Sequence, residues 1–210
     1  MAHHLQTLYA DNIHRIAVSD AANFKSGDIT LDVGTGTSLS AICAVNRVYP
    51  EKKIRIIGLD LSFRMLQKAK KNQDRYKTGK LIFLLNGDAR FLPIRKNIFN
   101  KVISVYGLGG IKVGLNRVVK ELIRVAKNSA LFSIGEMTSP PREKGIFKRV
   151  LHELIIEPMI NLIWHFEDFN PMDLFYNNNI QIIKRKYYDT YYFGSMTLLV
   201  AKLIKNRKDK

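Results

Sequence analysis

The sequence predicts an α/β fold, a three-layer sandwich in which helices cover both faces of a mostly parallel, seven-stranded sheet. Up to about residue 136, short apolar runs alternate with segments of helical periodicity, which is typical of such a sheet. A glycine-rich loop joins the first apolar run to the helix that follows it. Beyond residue 136 come a helical stretch and two strands, which predict an insertion and a closing antiparallel hairpin.

The composition is that of one globular domain. The chain has 210 residues, of which 46% are hydrophobic and 25% charged. These values exclude a disordered chain, a collagen-like chain and a disulfide scaffold. Since Cys43 is the single cysteine, no internal disulfide can form, which favours a cytoplasmic location. No apolar run reaches the roughly 18 residues that a membrane-spanning helix needs.

Five strands and the helices between them are predicted from apolar runs and from i, i+3, i+4 spacing. The strands are Ile29–Val33, Arg55–Leu59, Lys80–Leu85, Asn100–Val105 and Ala130–Ile134. The helices cover residues 5–18, Ser38–Asn46, a segment capped by Ser62, and Leu115–Ala126. Their predicted apolar faces carry Leu5, Leu8, Ile13 and Ile16; Leu39, Ile42 and Val45; Met65, Leu66 and Ala69; and Leu115, Val118, Val119, Leu122, Ile123 and Ala126.

The C-terminal part has a different pattern. The run Ser139–Pro141 ends the alternation, and helices are predicted through about Trp164 and again from Pro171. Strands at Ile180–Tyr188 and Ser195–Ile204 then form the hairpin, which residues 189–194 connect.

The loop after the first strand, residues 32–38, indicates a ligand site. Its glycines let the backbone approach a ligand, and the following helix offers free N–H groups. Two ligands remain open at this point. A dinucleotide fingerprint fits Gly34 and Gly36 but meets Leu39 at its last position. Asp32 would repel a pyrophosphate, and it favours S-adenosylmethionine, which carries a sulfonium and an ammonium group.

Two further acids follow the second and third strands. Asp60 ends the second strand, about 20 residues past the loop, where nucleotide-binding folds place an acid for the ribose hydroxyls. Asp88 lies where it could accept a hydrogen bond from an adenine amino group, with Ala89 under the ring. Because the carboxyl ends of parallel strands meet at one edge, Asp32, Asp60 and Asp88 predict a single cleft.

These motifs resemble class I S-adenosylmethionine-dependent methyltransferases over about residues 28–136. The resemblance rests on Asp-x-Gly-x-Gly after the first strand, Gly-Leu-Asp-Leu-Ser at the second, and Gly-Asp-Ala after the third. It implies a Rossmann-like fold and S-adenosylmethionine as cofactor, with S-adenosylhomocysteine as its product. Ser38 stands in place of the usual third glycine, Asn100 in place of an aspartate, and residues 128–130 in place of a Pro-Gly-Gly turn.

A narrower resemblance concerns the acceptor. The segments Val105–Leu108, Arg124–Lys127 and Glu136–Pro140 are similar in order and spacing to the C-methyltransferases of ubiquinone and menaquinone biosynthesis. That group also has a helical insertion after the fifth strand and a C-terminal hairpin. The resemblance implies a small, hydrophobic or quinone-like methyl acceptor.

The predicted cofactor site has four parts. They are Asp32, Gly34, Thr35 and Gly36 for the methionine part, Asp60 and Leu61 for the ribose, Asp88 and Ala89 for the adenine, and Val105 and Tyr106 for the floor of the methyl-transfer site. The catalytic base stays open, with Tyr106, His152 and His165 as candidates. No metal is expected, because no paired His or Cys spacing accompanies His165.

The charge balance leaves further alternatives open. Lys and Arg number 34 against 18 Asp and Glu, so the net charge is +16, which favours anionic partners. An RNA methyltransferase could use the basic, aromatic residues 184–193. An anionic membrane surface and a homodimer are also open as partners. So is a non-catalytic S-adenosylmethionine-binding protein, since no acceptor-side group is fixed by the motifs.

We expect a single domain with five segments. They are an N-terminal helical segment (1–27), a cofactor-binding core (28–136), a helical insertion or lid (137–179), the closing hairpin (180–205) and a basic tail (206–210).

Overall fold

A computed structural model of the chain describes residues 13–111, 113–138, 146, 150, 154–155, 175, 180–190 and 194–205. The described strands are β1 (Ile29–Val33), β2 (Arg55–Asp60), β3 (Ile82–Asn86), β4 (Phe99–Val105), β5 (Ala126–Thr138), β6 (Ile180–Thr190) and β7 (Gly194–Leu203). The described helices are α1, over residues 13–21, α2 (Leu39–Val48), α3 (Phe63–Tyr76) and α4 (Leu115–Val125).

The strands form one seven-stranded sheet in the order β3-β2-β1-β4-β5-β7-β6. The pairs β1·β2, β1·β4, β2·β3 and β4·β5 are parallel, and β7 runs antiparallel between β5 and β6. The predicted mostly parallel sheet with a C-terminal hairpin is therefore confirmed. The strand order reverses direction between β1 and β4, and open α/β sheets bind ligands beside such a switch point.

Helices cover both faces of the sheet, as predicted. Helix α4 packs on one face through Val118, Val119, Leu122 and Val125. On the other face α1 and α2 pack against β4 and β7, with Val18, Ala41 and Ile42 among the buried residues. No helix among the described residues is long and apolar enough to cross a membrane.

Helix α3 begins where it is predicted, but one residue that was predicted to face the core is exposed. The backbone N–H of Met65 donates to the Ser62 hydroxyl at 3.4 Å, so Ser62 is the N-cap. Leu66 and Ala69 are buried, whereas Met65 is 39% exposed, and its predicted inward position is wrong. The buried face follows Leu66, Ala69 and Gln73, and Met65 lies about 100° away from it, the rotation of one helical residue.

Helix α1 also buries another face than its apolar residues predict. Ile13 and Ile16 are 38% and 36% exposed, while His14 and Val18 are buried. The predicted apolar stripe is therefore wrong at both isoleucines, because a histidine takes the inward position. Leu5 and Leu8 lie outside the described residues.

Element boundaries differ from the prediction most at β5 and in the hairpin. Ala126 begins β5 instead of ending α4, and β5 is longer than predicted. Its register with β4 shifts between Phe99, opposite Ala126, and Lys101, opposite Leu131. In the hairpin the ladder continues to the Thr190–Gly194 pair, so only residues 191–193 connect the strands. The predicted helices between Ser139 and residue 179 lie outside the described residues except at isolated positions.

Candidate functional site

A cleft of about 340 Å³ lies where the strand order reverses. Its volume is within the range of small-molecule sites, roughly 300–1,000 Å³. Loops at the carboxyl ends of β1, β2, β3 and β4 line it. Five of the predicted contacts are on its wall: Gly34, Asp60, Leu61, Asp88 and Ala89.

Two glycines bring the loops after β1 and β4 into contact. A Cβ added to Gly34 would stand 2.6 Å from the Cα of Gly107, and one added to Gly107 would stand 2.3 Å from the carbonyl oxygen of Val33. Gly34 also has a φ of +67°, which favours glycine. At this part of the cleft wall the lining is thus bare backbone, as a closely approaching ligand requires. The sequence analysis missed Gly107, although it directly follows the predicted floor residue Tyr106.

Ser38 takes a glycine-like conformation where the family usually has glycine. Its φ is 65° and its ψ 13°, in the left-handed region. Ser38 precedes α2 but makes no side-chain cap hydrogen bond, and its buried hydroxyl has no partner among the described residues. The loop therefore keeps its shape at a conformational cost of about 1–2 kcal/mol.

Asp32 is buried beneath the glycine loop. The Thr35 hydroxyl donates to its Oδ2 at 2.6 Å, while its Oδ1 has no partner within the described structure. Burial raises the pKa of Asp32 to about 7, although the Thr35 hydrogen bond and the charge of Arg15 act in the opposite direction. A half-satisfied buried carboxylate is stabilised by a cation. This environment fits the ammonium group that the sequence analysis assigned to it.

Asp60 connects two loops at the end of β2. Its Oδ2 accepts from the backbone N–H of Gly36 and its Oδ1 from that of Ser62, each at 2.8 Å. Each carboxylate oxygen can accept a further hydrogen bond. Asp60 can therefore bind two ribose hydroxyls while it holds the glycine loop against the start of α3.

Asp88 is already paired with an arginine. The Nη2 atom of Arg90 lies 2.6 Å from Oδ2 of Asp88, and the backbone N–H of Arg90 donates to Oδ1 at 2.8 Å. These hydrogen bonds lower the pKa of Asp88. Arg90 also lines the cleft, and the sequence analysis missed it. A sequence signal for Arg90 was available, because a basic residue two positions after Asp88 directly follows the Gly-Asp-Ala motif and can pair with its carboxylate.

The end of β4 carries the two predicted floor residues. Val105 is its last residue and is buried, and Tyr106 follows with a φ of 60°. The Tyr106 hydroxyl forms a short hydrogen bond with Nδ1 of His14 in α1. The sequence analysis also missed His14, because the separation of 92 residues gives no local signal.

Glu136 holds the loop that follows Tyr106. Its carboxylate accepts from the backbone N–H groups of Leu108 at 2.9 Å and Gly109 at 3.3 Å. Burial raises its pKa to about 7. The sequence pointed to Glu136 only as part of a family motif, but a lone acid within an apolar strand is itself a signal.

The other predicted residues are distributed as follows. Thr35 is buried and Gly36 half-buried next to the cleft wall. The candidate bases His152 and His165 lie outside the described residues. Within the described ranges, no three His, Cys, Asp or Glu side chains gather to hold a metal ion. The expectation of a metal-free site stays a prediction.

The cleft residues fit S-adenosylmethionine. The bare Gly34–Gly107 backbone leaves room for close approach, Asp32 has an unpartnered buried oxygen, and Asp60 has acceptor capacity at the cleft wall. A cationic amino-acid moiety and a ribose match these groups in charge and hydrogen bonding.

Comparisons with known proteins agree with this geometry. Residues 30–129 match a family model described as a methyltransferase domain. A demethylmenaquinone methyltransferase of Lactobacillus johnsonii is 34% identical over 116 residues, which cover 55% of this chain and 46% of that protein. The chain spans about half the length of the curated relatives it matches.

Two solved structures show the same fold. The [4+2]-cyclase SpnF has a TM-score of 0.72 at 15% identity, and the alignment covers 93% of this chain and 81% of the SpnF chain. The second is geranyl diphosphate C-methyltransferase from Streptomyces coelicolor A3(2), in complex with Mg²⁺, geranyl diphosphate and S-adenosyl-L-homocysteine. Its TM-score is 0.68 at 12% identity, and the alignment covers 88% of this chain and 74% of that chain.

The class predicted from the sequence is therefore confirmed. Residues 30–129 match a methyltransferase domain model, and the chain is similar to S-adenosylmethionine-dependent methyltransferases in sequence motifs, relatives and fold. Among the relatives, several are demethylmenaquinone methyltransferases at about this level of identity, including one of Symbiobacterium thermophilum at 30%.

Proposed function

We propose that the chain transfers the methyl group of S-adenosylmethionine to a small, apolar, quinone-like acceptor. The observation that carries the proposal is the cleft at the β1/β4 switch point, which has Asp60 and Asp88 on its wall and lies in the segment matched by the methyltransferase model. The quinone-like acceptor is supported by the relatives, several of which are demethylmenaquinone methyltransferases. The proposed cofactor contacts are the predicted ones.

The residues of the chain have binding and positioning roles. When bound, S-adenosylmethionine supplies a methyl carbon that its sulfonium makes electrophilic. Asp60 accepts from the ribose hydroxyls, and Asp32 faces the positive amino group. Val105 and Tyr106 form the floor on which the acceptor atom comes within roughly 3 Å of the methyl carbon, in line with the breaking bond. Positioning is the main requirement of such a displacement. The acceptor must also lose a proton when the methyl group is added, and Tyr106, His152 and His165 are the candidate bases that would take it.

The cofactor part of the proposal is tested by calorimetric titration. We expect micromolar binding of S-adenosylmethionine and no binding of NADH. The Asp60→Ala variant should keep its fold by circular dichroism and lose most of the affinity. Unchanged affinity of this variant would remove Asp60 from the ribose site, and NADH binding would contradict the proposed cofactor.

An RNA acceptor remains the second candidate because of the +16 charge. Lys184, Arg185 and Lys186 are exposed on β6, which is an edge strand. Tyr188, however, is half-buried against α1, so its ring is not available for stacking on a base. Transfer of labelled methyl groups to reduced naphthoquinones or to bulk tRNA separates the candidates. RNA binding should weaken by orders of magnitude from about 50 to 200 mM salt.

A protein that binds the cofactor without methyl transfer is the third candidate. The resemblance to a [4+2]-cyclase shows that this fold alone does not fix the chemistry. The same labelled-methyl assay tests this third candidate. Binding of S-adenosylmethionine without methyl transfer to either acceptor class would favour a non-catalytic binding protein. An anionic membrane surface, a homodimer and a cytoplasmic location stay predictions.

A further inference from the structure

Arg90 occupies the carboxylate of Asp88 on the cleft wall. Its backbone N–H donates to Oδ1 at 2.8 Å, and its Nη2 donates to Oδ2 at 2.6 Å. Its Nε donates to both oxygens, at 3.0 Å to Oδ1 and 2.9 Å to Oδ2. A carboxylate has about four positions at which it can accept a hydrogen bond. These contacts therefore leave Asp88 little capacity to accept from an adenine amino group, the role that its position after β3 predicts.

Further contacts hold Arg90 in this place. Its carbonyl oxygen accepts from Nε of Arg117 at 3.0 Å, and the guanidinium of Arg117 lies 4.2 Å from the centre of the Phe91 ring. Nη1 of Arg90 donates to the carbonyl oxygen of Val113 at 3.5 Å. Gly114 leaves room for the side chain, since a Cβ there would stand 2.9 Å from Cδ of Arg90. The segment that leads into α4 thus helps to position an arginine of the loop after β3.

The ion pair offers hydrogen-bond donors to the cleft in place of a free acceptor. A guanidinium has five N–H groups, two each on Nη1 and Nη2. Val113 and Asp88 take one N–H from Nη1 and one from Nη2, so a second N–H on each nitrogen can donate to a ligand. The side chain of Arg90 is 36% exposed and that of Asp88 26%, and both residues line the cleft. A ligand in the cleft can therefore reach the pair.

We propose that Arg90 sets the base specificity of the cleft, which accepts a purine with an oxygen at position 6 about as well as it accepts adenine. This inference rests on the proposed function, in which Asp88 and Ala89 lie at the base. The amino group of adenine is a donor, and it meets a carboxylate that Arg90 already occupies. The carbonyl group of a 6-oxopurine is an acceptor, and it meets the N–H groups of Arg90. Leu61 and Ala89 offer the same apolar contacts to either ring.

The test compares S-adenosylhomocysteine with its 6-oxo analogue, S-inosylhomocysteine. The two compounds differ only in the purine, so the ratio of their dissociation constants, measured by calorimetric titration of the full chain, reports on the base. We expect wild-type protein to bind the oxo compound no more than about threefold more weakly than the adenine compound. An unoccupied carboxylate would instead favour the adenine compound by about tenfold or more, the value of one hydrogen bond to a charged group.

Two variants of the ion pair assign the effect to its members. Arg90→Met keeps an unbranched side chain and removes the guanidinium, so that Asp88 can accept from the amino group. We expect this variant to favour S-adenosylhomocysteine by about tenfold or more, because the carbonyl of the oxo compound then faces an unpaired carboxylate. The double variant Asp88→Ala, Arg90→Met should return the ratio to about threefold or less, because the discriminating carboxylate is gone.

Arg95→Met is the matched control. Arg95 is exposed in the same loop and lies outside the described cleft wall, so this variant loses the same charge without freeing Asp88. Its ratio should equal the wild-type ratio. A merely structural role of Arg90 would weaken both compounds alike and leave the ratio unchanged. The wild-type ratio needs no variant, so it tests the inference even if Arg90→Met fails to fold.

Four outcomes would overturn the inference. They are a wild-type preference for S-adenosylhomocysteine above about threefold, an Arg90→Met ratio equal to that of wild-type protein, a preference that persists in the double variant, and an equal change of the ratio in Arg95→Met. Failure of the proposed function has a different signature, since wild-type protein would then bind neither compound.

Discussion

The proposed cofactor edge of the cleft and the proposed acceptor end, where β4 ends, are built in different ways. At the cofactor edge, Asp32, Asp60 and Asp88 lie at or just beyond the carboxyl ends of β1, β2 and β3. Each is held by a residue no more than three positions away or by the neighbouring loop. At the acceptor end, His14, Tyr106 and Glu136 come from distant parts of the chain. The first region is local in sequence and the second is assembled by tertiary packing.

This difference explains why one region was predictable. A loop motif is set by backbone geometry and ligand chemistry, which require particular residues at fixed spacing. A contact between α1 and the end of β4 depends on how a helix packs, and many residue types can fill it. The two regions should therefore respond differently to substitution.

The largest expected effect on stability comes from a substitution in the contact between Gly34 and Gly107, which joins the two regions. Gly34→Ala should lower the free energy of unfolding by about 4 kcal/mol, because the new methyl group meets backbone atoms and the residue must keep a positive φ. Urea denaturation measures the change. Gly27→Ala is the matched control: Gly27 has a φ of +87° but nothing within 4 Å, so we expect a loss of only about 1 kcal/mol. Equal losses would mean that the contact has no role.

At the acceptor end, Glu136 should make stability depend on pH. Its pKa is raised from 4.5 to about 7 on folding, so the folded protein binds more protons in that interval and loses stability as the pH rises through it. Relative to Glu136→Gln, the wild-type protein should lose on the order of 3 kcal/mol between pH 4 and 8.

Urea denaturation of both proteins across this pH range measures the difference for Glu136. The loss of a hydrogen bond in Glu136→Gln adds only a constant offset. A difference between the two curves that does not change with pH would show that Glu136 titrates normally.

At the cofactor edge, Asp60→Asn should weaken S-adenosylmethionine binding by roughly tenfold to hundredfold, the worth of hydrogen bonds to a charged group. Calorimetric titration measures it. Asp74→Asn, which removes an exposed acid of α3 paired with Lys70, is the control and should bind normally. An equal loss in both variants would point to a general charge effect.

The smallest effect concerns the departure from the family pattern. Ser38→Gly should raise the free energy of unfolding by about 1 kcal/mol, because glycine adopts the left-handed conformation without strain. Ser38→Ala removes the unpartnered hydroxyl and keeps the strain, so any gain from it alone should be smaller. Thermal denaturation compares the three proteins. A larger gain in Ser38→Ala than in Ser38→Gly would assign the cost to the hydroxyl instead.

The sequence predicted the sheet, its order of elements and the hairpin because apolar periodicity and glycine loops encode them directly. It failed where polar residues are buried. Ile13 and Ile16 were expected to face the core, yet both are partly exposed and His14 faces the core instead. The hydrogen bond between His14 and Tyr106 makes a buried polar side chain acceptable at this position. Arg90 was not predicted because Asp88 was expected to pair with a ligand, whereas in the structure it pairs with the guanidinium of Arg90.

The contact between Gly34 and Gly107 also has a thermodynamic consequence. A backbone shift at Gly107 on acceptor binding cannot be absorbed by a side chain there, so it reaches the cofactor loop directly. The two ligands would then share a coupling free energy, and each would change the affinity of the other by the same factor.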